Sequence, residues 1–168
     1  MEGEATDAGF GAATTPPEPA DYARFGAVIY AVTAIGVFVT WALTFLLADD
    51  ESIIWGVDEF GVPIDEELFL AAAMGFDTMV MLAPLLAVAI GLYYYFGDAT
   101  PEPAHKPAAI AAAAGTAVAV VLMVVLLVVF EPDGFDIGIG DQLTTVLGVT
   151  VGAAITGAIA GAALEKVD

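Results

Sequence analysis

The chain has no cysteine, one histidine and three basic residues in 168 positions. Without cysteine there is no disulfide, no thiolate metal site and no thiol nucleophile. A single histidine, His105, beside Lys106 in a proline-rich turn, reads as solvent-facing, and without a second nitrogen or any sulfur ligand a zinc site is not expected. Three bases cannot build the clustered Lys/Arg footprint that nucleic acid requires. They also cannot build a polybasic patch for anionic lipid. No P-loop, G-x-S-x-G or G-x-G-x-x-G pattern occurs. Gly134 and the Gly138-Ile139-Gly140 stretch follow a loop and read as turn chemistry. Neither an enzymatic activity nor a cofactor is expected.

What fills the space is apolar and acidic. Hydrophobic residues make up 60% of the chain, against roughly 45–50% in an ordinary soluble domain, and the mean hydropathy is +0.88. Against the three bases stand 22 acids, for a formal charge of −19. The two properties are segregated: every acid but Asp77 lies at the edge of a long apolar run or between runs. The acidity itself reads as adaptation to high salt. At about 1 M salt the Debye length is roughly 3 Å, so repulsion among surface carboxylates is largely screened.

Residues 1–23 carry five acids and no base, which argues against a cleavable signal peptide. With few large apolar groups they read as a disordered tail. Four apolar stretches follow, at about 25–47, 68–96, 108–130 and 143–164, each long enough for a hydrocarbon core of about 30 Å. The expected fold is all-α, a polytopic four-helix membrane bundle. Asp49, Asp50 and Glu51 close the first span, and Trp41 suits the interface near its end.

The second stretch contains Asp77 and Pro84. It reads either as one long helix kinked at the proline, or as a short interfacial helix over about 66–76 followed by a span from Thr78. Tyr93, Tyr94, Tyr95 and Phe96 form an aromatic end at headgroup level. Pro107 suits the first position of the third helix. Arg24, Lys106 and Lys166 fall on one side if the four spans alternate, and the loops 48–67 and 131–141 contain no Lys or Arg. The positive-inside rule then puts both termini in the cytoplasm of a cell membrane.

The outer loops look alike. Residues 58–68 align without gaps on 133–143, sharing acid, Phe, Val/Ile, Ile, acid and Leu at every second position. The alternation suits a short extended segment. Two readings stay open: a duplicated helical hairpin, as in parallel-repeat transporters, or convergence of two acidic loops.

Asp77 is the one ionisable side chain within an apolar run. A charged Asp at mid-span costs about 2.5–3.5 kcal/mol on the insertion scale. It could bond to Thr33, Thr40, Thr44, Thr78 or Thr150, load and release a proton, or sit at the outer headgroups as a cap. Asp77, Pro84 and Gly91, spaced by seven, share one helix face that could line a pathway. The fourth span carries Gly148-xxx-Gly152 and Gly157-xxx-Gly161, where small residues let a second backbone approach. Thr33, Gly36, Thr40 and Thr44 form a similar stripe on the first span. Either these two faces pack on each other, or the fourth span meets a second copy or another membrane protein. The acids 49–51 and 65–67, with Asp133, Asp136 and Asp141, match no EF-hand spacing and read as solvated surface.

The layout of acidic tail, two helical hairpins with acidic outer loops and Gly-rich last span is similar to small four-span membrane proteins of halophilic archaea. That resemblance covers most of residues 22–165, rests on layout and composition, and implies no activity. The expected role is a non-enzymatic scaffold or accessory subunit. The alternative is a small proton- or cation-coupled carrier or channel using Asp77.

Overall fold

The structure, a computed structural model, describes residues 17–47, 67–96, 103–132 and 139–165, the side chains of residues 139, 141 and 164 excepted. It consists of four α-helices: α1 Pro19–Leu46, α2 Glu67–Phe96, α3 His105–Val129 and α4 Ile139–Leu164. At 1.5 Å per residue they are about 37–45 Å long, and all four are long and apolar enough to cross a membrane.

The helix starts have local causes. Pro19 occupies the first turn of α1, where its missing N–H costs nothing. The Asp21 carboxylate accepts the Glu18 N–H at 3.0 Å, half of a capping box. The helix therefore begins inside the stretch predicted as a tail; residues 1–16 lie outside the described residues. α2 runs unbroken through Pro84, so the second stretch is one continuous helix, as the first reading had it, with Ala, Leu and Met on either side to favour helix. α3 begins at His105, so Pro107 stands in its first turn rather than at its first position. The loop repeat falls mostly outside the described residues. Its described ends, Glu67–Leu68 and 139–143, open α2 and α4 as helix rather than as extended chain.

Neighbouring helices alternate in direction, so α1 lies parallel to α3 and α2 to α4. Gly26 of α1 meets Ala111 of α3, and Gly91 of α2 meets Ala160 of α4. α2 and α3 touch each other and both remaining helices, whereas α1 and α4 make no contact. The cross-section is a rhombus with α2 and α3 on its short diagonal and α1 and α4 at opposite edges. This corrects the expectation that the first and fourth spans pack on each other.

The interior is built from small residues. Ala34 and Ala42 of α1, Ala72, Ala83 and Ala87 of α2, and Ala108, Ala112 and Ala119 of α3 are buried, with Tyr30, Met79 and Met123 filling the middle. On α2 the buried positions Phe69, Ala72, Phe76, Met79, Ala83, Ala87, Ile90 and Tyr94 recur every three or four residues, the seam of a close helix pair. The exterior is as apolar as the core: Val28, Val32, Ile35 and Leu43 on α1 and Leu143, Leu147, Val151, Ile155 and Ile159 on α4 are all more than half exposed. A helix apolar all round belongs in lipid or a large core.

Aromatic side chains gather at two levels. At one end Tyr22 meets Tyr94 edge-on, centroids 5.5 Å apart, and Phe25 stacks on Tyr93 at 5.0 Å. At the other, Phe38 stacks on Phe130 at 5.9 Å and Trp41 on Phe45 at 5.7 Å. Tyr22 and Trp41 are nineteen residues apart on α1, about 28 Å along the axis, close to the hydrocarbon thickness of a bilayer. Arg24 and Lys106 lie at the tyrosine end.

Candidate functional site

Asp77 and Pro84 are exposed on the outside of α2, whereas Gly91 is buried. A β-carbon on Gly91 would stand 2.7 Å from the Ala160 β-carbon. Of the three residues only Gly91, at the tyrosine end, packs on α4. The three line no interior pathway. Seventeen residues separate Asp77 from Tyr94, about 26 Å along the axis, so Asp77 belongs to the half of the bundle that holds Trp41.

None of the threonines considered as partners reaches Asp77. Thr33, Thr40, Thr44 and Thr78 donate to the carbonyls of Ile29, Gly36, Thr40 and Met74 at 2.9, 2.8, 2.8 and 2.6 Å. Such back-bonding satisfies a hydroxyl inside its own helix, which suits a medium without water. The Thr150 hydroxyl has no hydrogen-bond partner among the described residues. Thr78 also accepts the Trp41 indole N–H at 3.1 Å, tying α1 to α2. Thr33, Gly36, Val37, Thr40, Trp41 and Thr78 line a shallow outward groove of about 480 Å³.

The glycine motifs divide. Gly157 sits on Ala108 and Ala112, and Gly161 on His105, so this pair closes α4 onto α3. Around Gly148, Gly152 and Gly36 there is open space: a β-carbon at any of them would meet nothing within 4 Å. Three of the expected packing glycines thus lie on the outer surface. The exposed Thr40 side chain also meets no helix of the opposite edge. The tightest contacts come instead from residues the sequence did not single out. A β-carbon on Gly26 would overlap the Ala111 carbonyl, and one on Gly115 would lie 2.7 Å from the Gly26 carbonyl oxygen.

Two polar arrangements also emerge only in three dimensions. The buried Tyr30 hydroxyl donates to the Ala83 carbonyl at 2.9 Å, linking α1 to α2. The Thr116 hydroxyl of α3 abuts Tyr30 but completes hydrogen-bond geometry with no described residue. At the tyrosine end, Glu165 at the close of α4 accepts the His105 N–H at 3.3 Å, and its carboxylate lies 3.4 Å from the His105 ring nitrogen. α3 lacks a capping side chain of its own, so a carboxylate from another helix faces the positive end of its dipole. His105 is half-buried in this clasp rather than free in solvent.

Of the basic residues, Arg24 pairs with Asp21 at 3.6 Å and Lys106 is exposed; Lys166 lies outside the described residues. Of the acid clusters only Glu67 is described with its side chain, and it is exposed. Among the described residues no three His, Asp or Glu side chains converge as metal ligands. No known protein family, curated protein or solved structure matches the chain, so any function has to be argued from these residues alone.

Proposed function

We propose that this chain is a multi-pass protein of the cell membrane with both termini cytoplasmic, acting as a non-enzymatic scaffold or accessory subunit. Supporting insertion are the apolar exterior and the two aromatic levels about 28 Å apart. Supporting the orientation, Arg24 and Lys106 lie at one end, and the loops at the other contain no Lys or Arg. The acidic surface fits a salt-rich habitat such as that of halophilic archaea.

The observation that carries the scaffold reading is the contrast within α4. Gly157 and Gly161 are used inside the bundle, whereas Gly148 and Gly152 present backbone to the outside. A partner helix, from a second copy or from another membrane protein, can approach closely there, as it can at Gly36 and Gly140, where a β-carbon would also meet nothing. The carrier reading needs Asp77 and Pro84 to line a pathway, and both face outward.

The test is cross-linking in native membranes with Gly148→Leu and Gly152→Leu. The wild-type chain should give a defined higher-mass complex, and the variants should lose it while keeping their melting temperature. A wild-type chain that cross-links to nothing contradicts the reading. Gly157→Leu is unsuitable, because it would break the contact with Ala108 inside the bundle.

A further inference from the structure

A cleft of about 130 Å³ opens between α3 and α4, where Val121, Val124 and Val125 face Gln142, Leu143 and Val146. It shares Val121 and Val125 with an open hollow of about 450 Å³ that continues along α3 to Val118 and Ala117. Every residue lining the two is apolar except Gln142. The Gln142 amide oxygen is buried and has no hydrogen-bond partner among the described residues. An oxygen shut away from water without a donor is destabilising.

Contacts between the helices fix the depth of this groove. Gly26 meets Ala111, so Trp41, fifteen residues further along the parallel helix, stands level with Leu126. Gly161 meets His105, so Gln142, nineteen residues earlier on the antiparallel helix, stands level with Val124. The amide is therefore within about 3 Å of the Trp41 level, where headgroups begin. Ala117 is nine residues inward of Leu126, about 14 Å, or half of a hydrocarbon core of about 30 Å. The groove thus runs through one leaflet, with its single polar group at the headgroup end.

We infer that this groove binds one lipid from the leaflet at the Trp41 end, a neutral lipid with a free hydroxyl, of the diacylglycerol kind. The hydroxyl donates to the Gln142 amide oxygen, and one chain lies over Val125, Val121 and Val118 toward Ala117. The terminal torsion of a glutamine is soft, so the oxygen turns into the cleft when a donor arrives. Charge selects against a phosphate headgroup: no lining residue is charged, and loops 48–67 and 131–141 at that end carry acids and no base. Size selects against a partner helix, since 130 Å³ is less than one turn of a helix about 10–12 Å across. The inference goes beyond the scaffold role and rests only on insertion in the membrane.

The test reconstitutes the full chain in phosphatidylcholine vesicles with a trace of diacylglycerol that carries a photoreactive diazirine half-way along one chain. Labelled residues are mapped by mass spectrometry. Labelling should concentrate at Ala117, Val118 and Val121. The same probe with its hydroxyl methylated should label them about fivefold less, and Gln142→Leu should bring the hydroxyl probe down to that level. Val121→Phe, which fills the groove, should remove labelling by both probes. Equal labelling of α3 by the two probes in the wild type, or labelling spread evenly over the exposed faces of α1 and α4, overturns the inference and leaves the scaffold reading standing. Loss of the α3 label as the protein-to-lipid ratio rises assigns the groove to a second copy and also overturns it. Labelling of no helix contradicts insertion as well as the lipid site.

Discussion

Gly26 of α1 and Ala111 of α3 meet backbone to backbone: a β-carbon on the glycine would overlap the alanine carbonyl. This contact sets how closely the two parallel helices approach. Gly26→Leu should therefore force α1 and α3 apart and cost about 2–3 kcal/mol or more. Gly36→Leu, on the same helix where a β-carbon meets nothing, should change stability by less than about 0.5 kcal/mol. Thermal unfolding of both variants in mild detergent checks the contrast.

Tyr30 and Thr116 make opposite contributions to the buried centre. Tyr30→Phe removes the bond to the Ala83 carbonyl and should destabilise by about 1 kcal/mol. Thr116→Val keeps the shape and removes a buried hydroxyl that bonds to no described residue. It should be neutral or stabilising by about 1 kcal/mol. Denaturant titrations of the two variants, compared with the wild type, should move in opposite directions or leave Thr116→Val unmoved.

The Glu165 clasp is part-exposed, with side-chain accessibilities of 38% for His105 and 33% for Glu165, so its contribution is modest. Glu165→Gln should cost about 0.5 kcal/mol. The loss should be local: amide exchange should quicken in the first turn of α3 and stay unchanged at Met123. Uniform quickening along α3 would contradict a capping role.

Trp41 offers a depth gauge. With Trp55 replaced by Phe, emission comes from Trp41 alone, since the chain has two tryptophans. Brominated lipids should quench it most strongly when the bromine lies high on the acyl chain, near the headgroups, rather than at the bilayer centre. Trp41→Phe should also release the Thr78 hydroxyl from its second bond at a cost of about 0.6 kcal/mol.

The helices were legible in the sequence because length and apolar content suffice for them. The predicted 68–96 and 143–164 differ from Glu67–Phe96 and Ile139–Leu164 by a few residues at most. Which face turns inward was not legible. In a soluble bundle the polar side marks the surface, but here Val28 and Leu143 outside are as apolar as Met79 and Met123 inside. What marks the interior is small size. That signal is spread over so many Ala and Gly residues that Gly148 and Gly152 look no different from Gly157 and Gly161. Gly26 and Gly115 carried no G-xxx-G partner and passed unnoticed, although Gly26-xxx-Tyr30-xxx-Ala34 and Ala111-xxx-Gly115-xxx-Ala119 repeat at the same four-residue spacing. Asp77 stood out in one dimension, but its outward direction depends on where α4 packs, which no local pattern encodes.

Single cysteines in this cysteine-free chain test the membrane architecture most directly. They are placed at Ala20, Ser52, Asp77, Glu102 and Asp133 and probed with a membrane-impermeant maleimide on intact cells. Positions 52 and 133 should label at once, positions 20 and 102 only after permeabilisation, and position 77 far more slowly than 52. Labelling of position 20 or 102 from outside, or of position 77 as fast as position 52, would contradict four spans with cytoplasmic ends and an Asp77 at the outer interface.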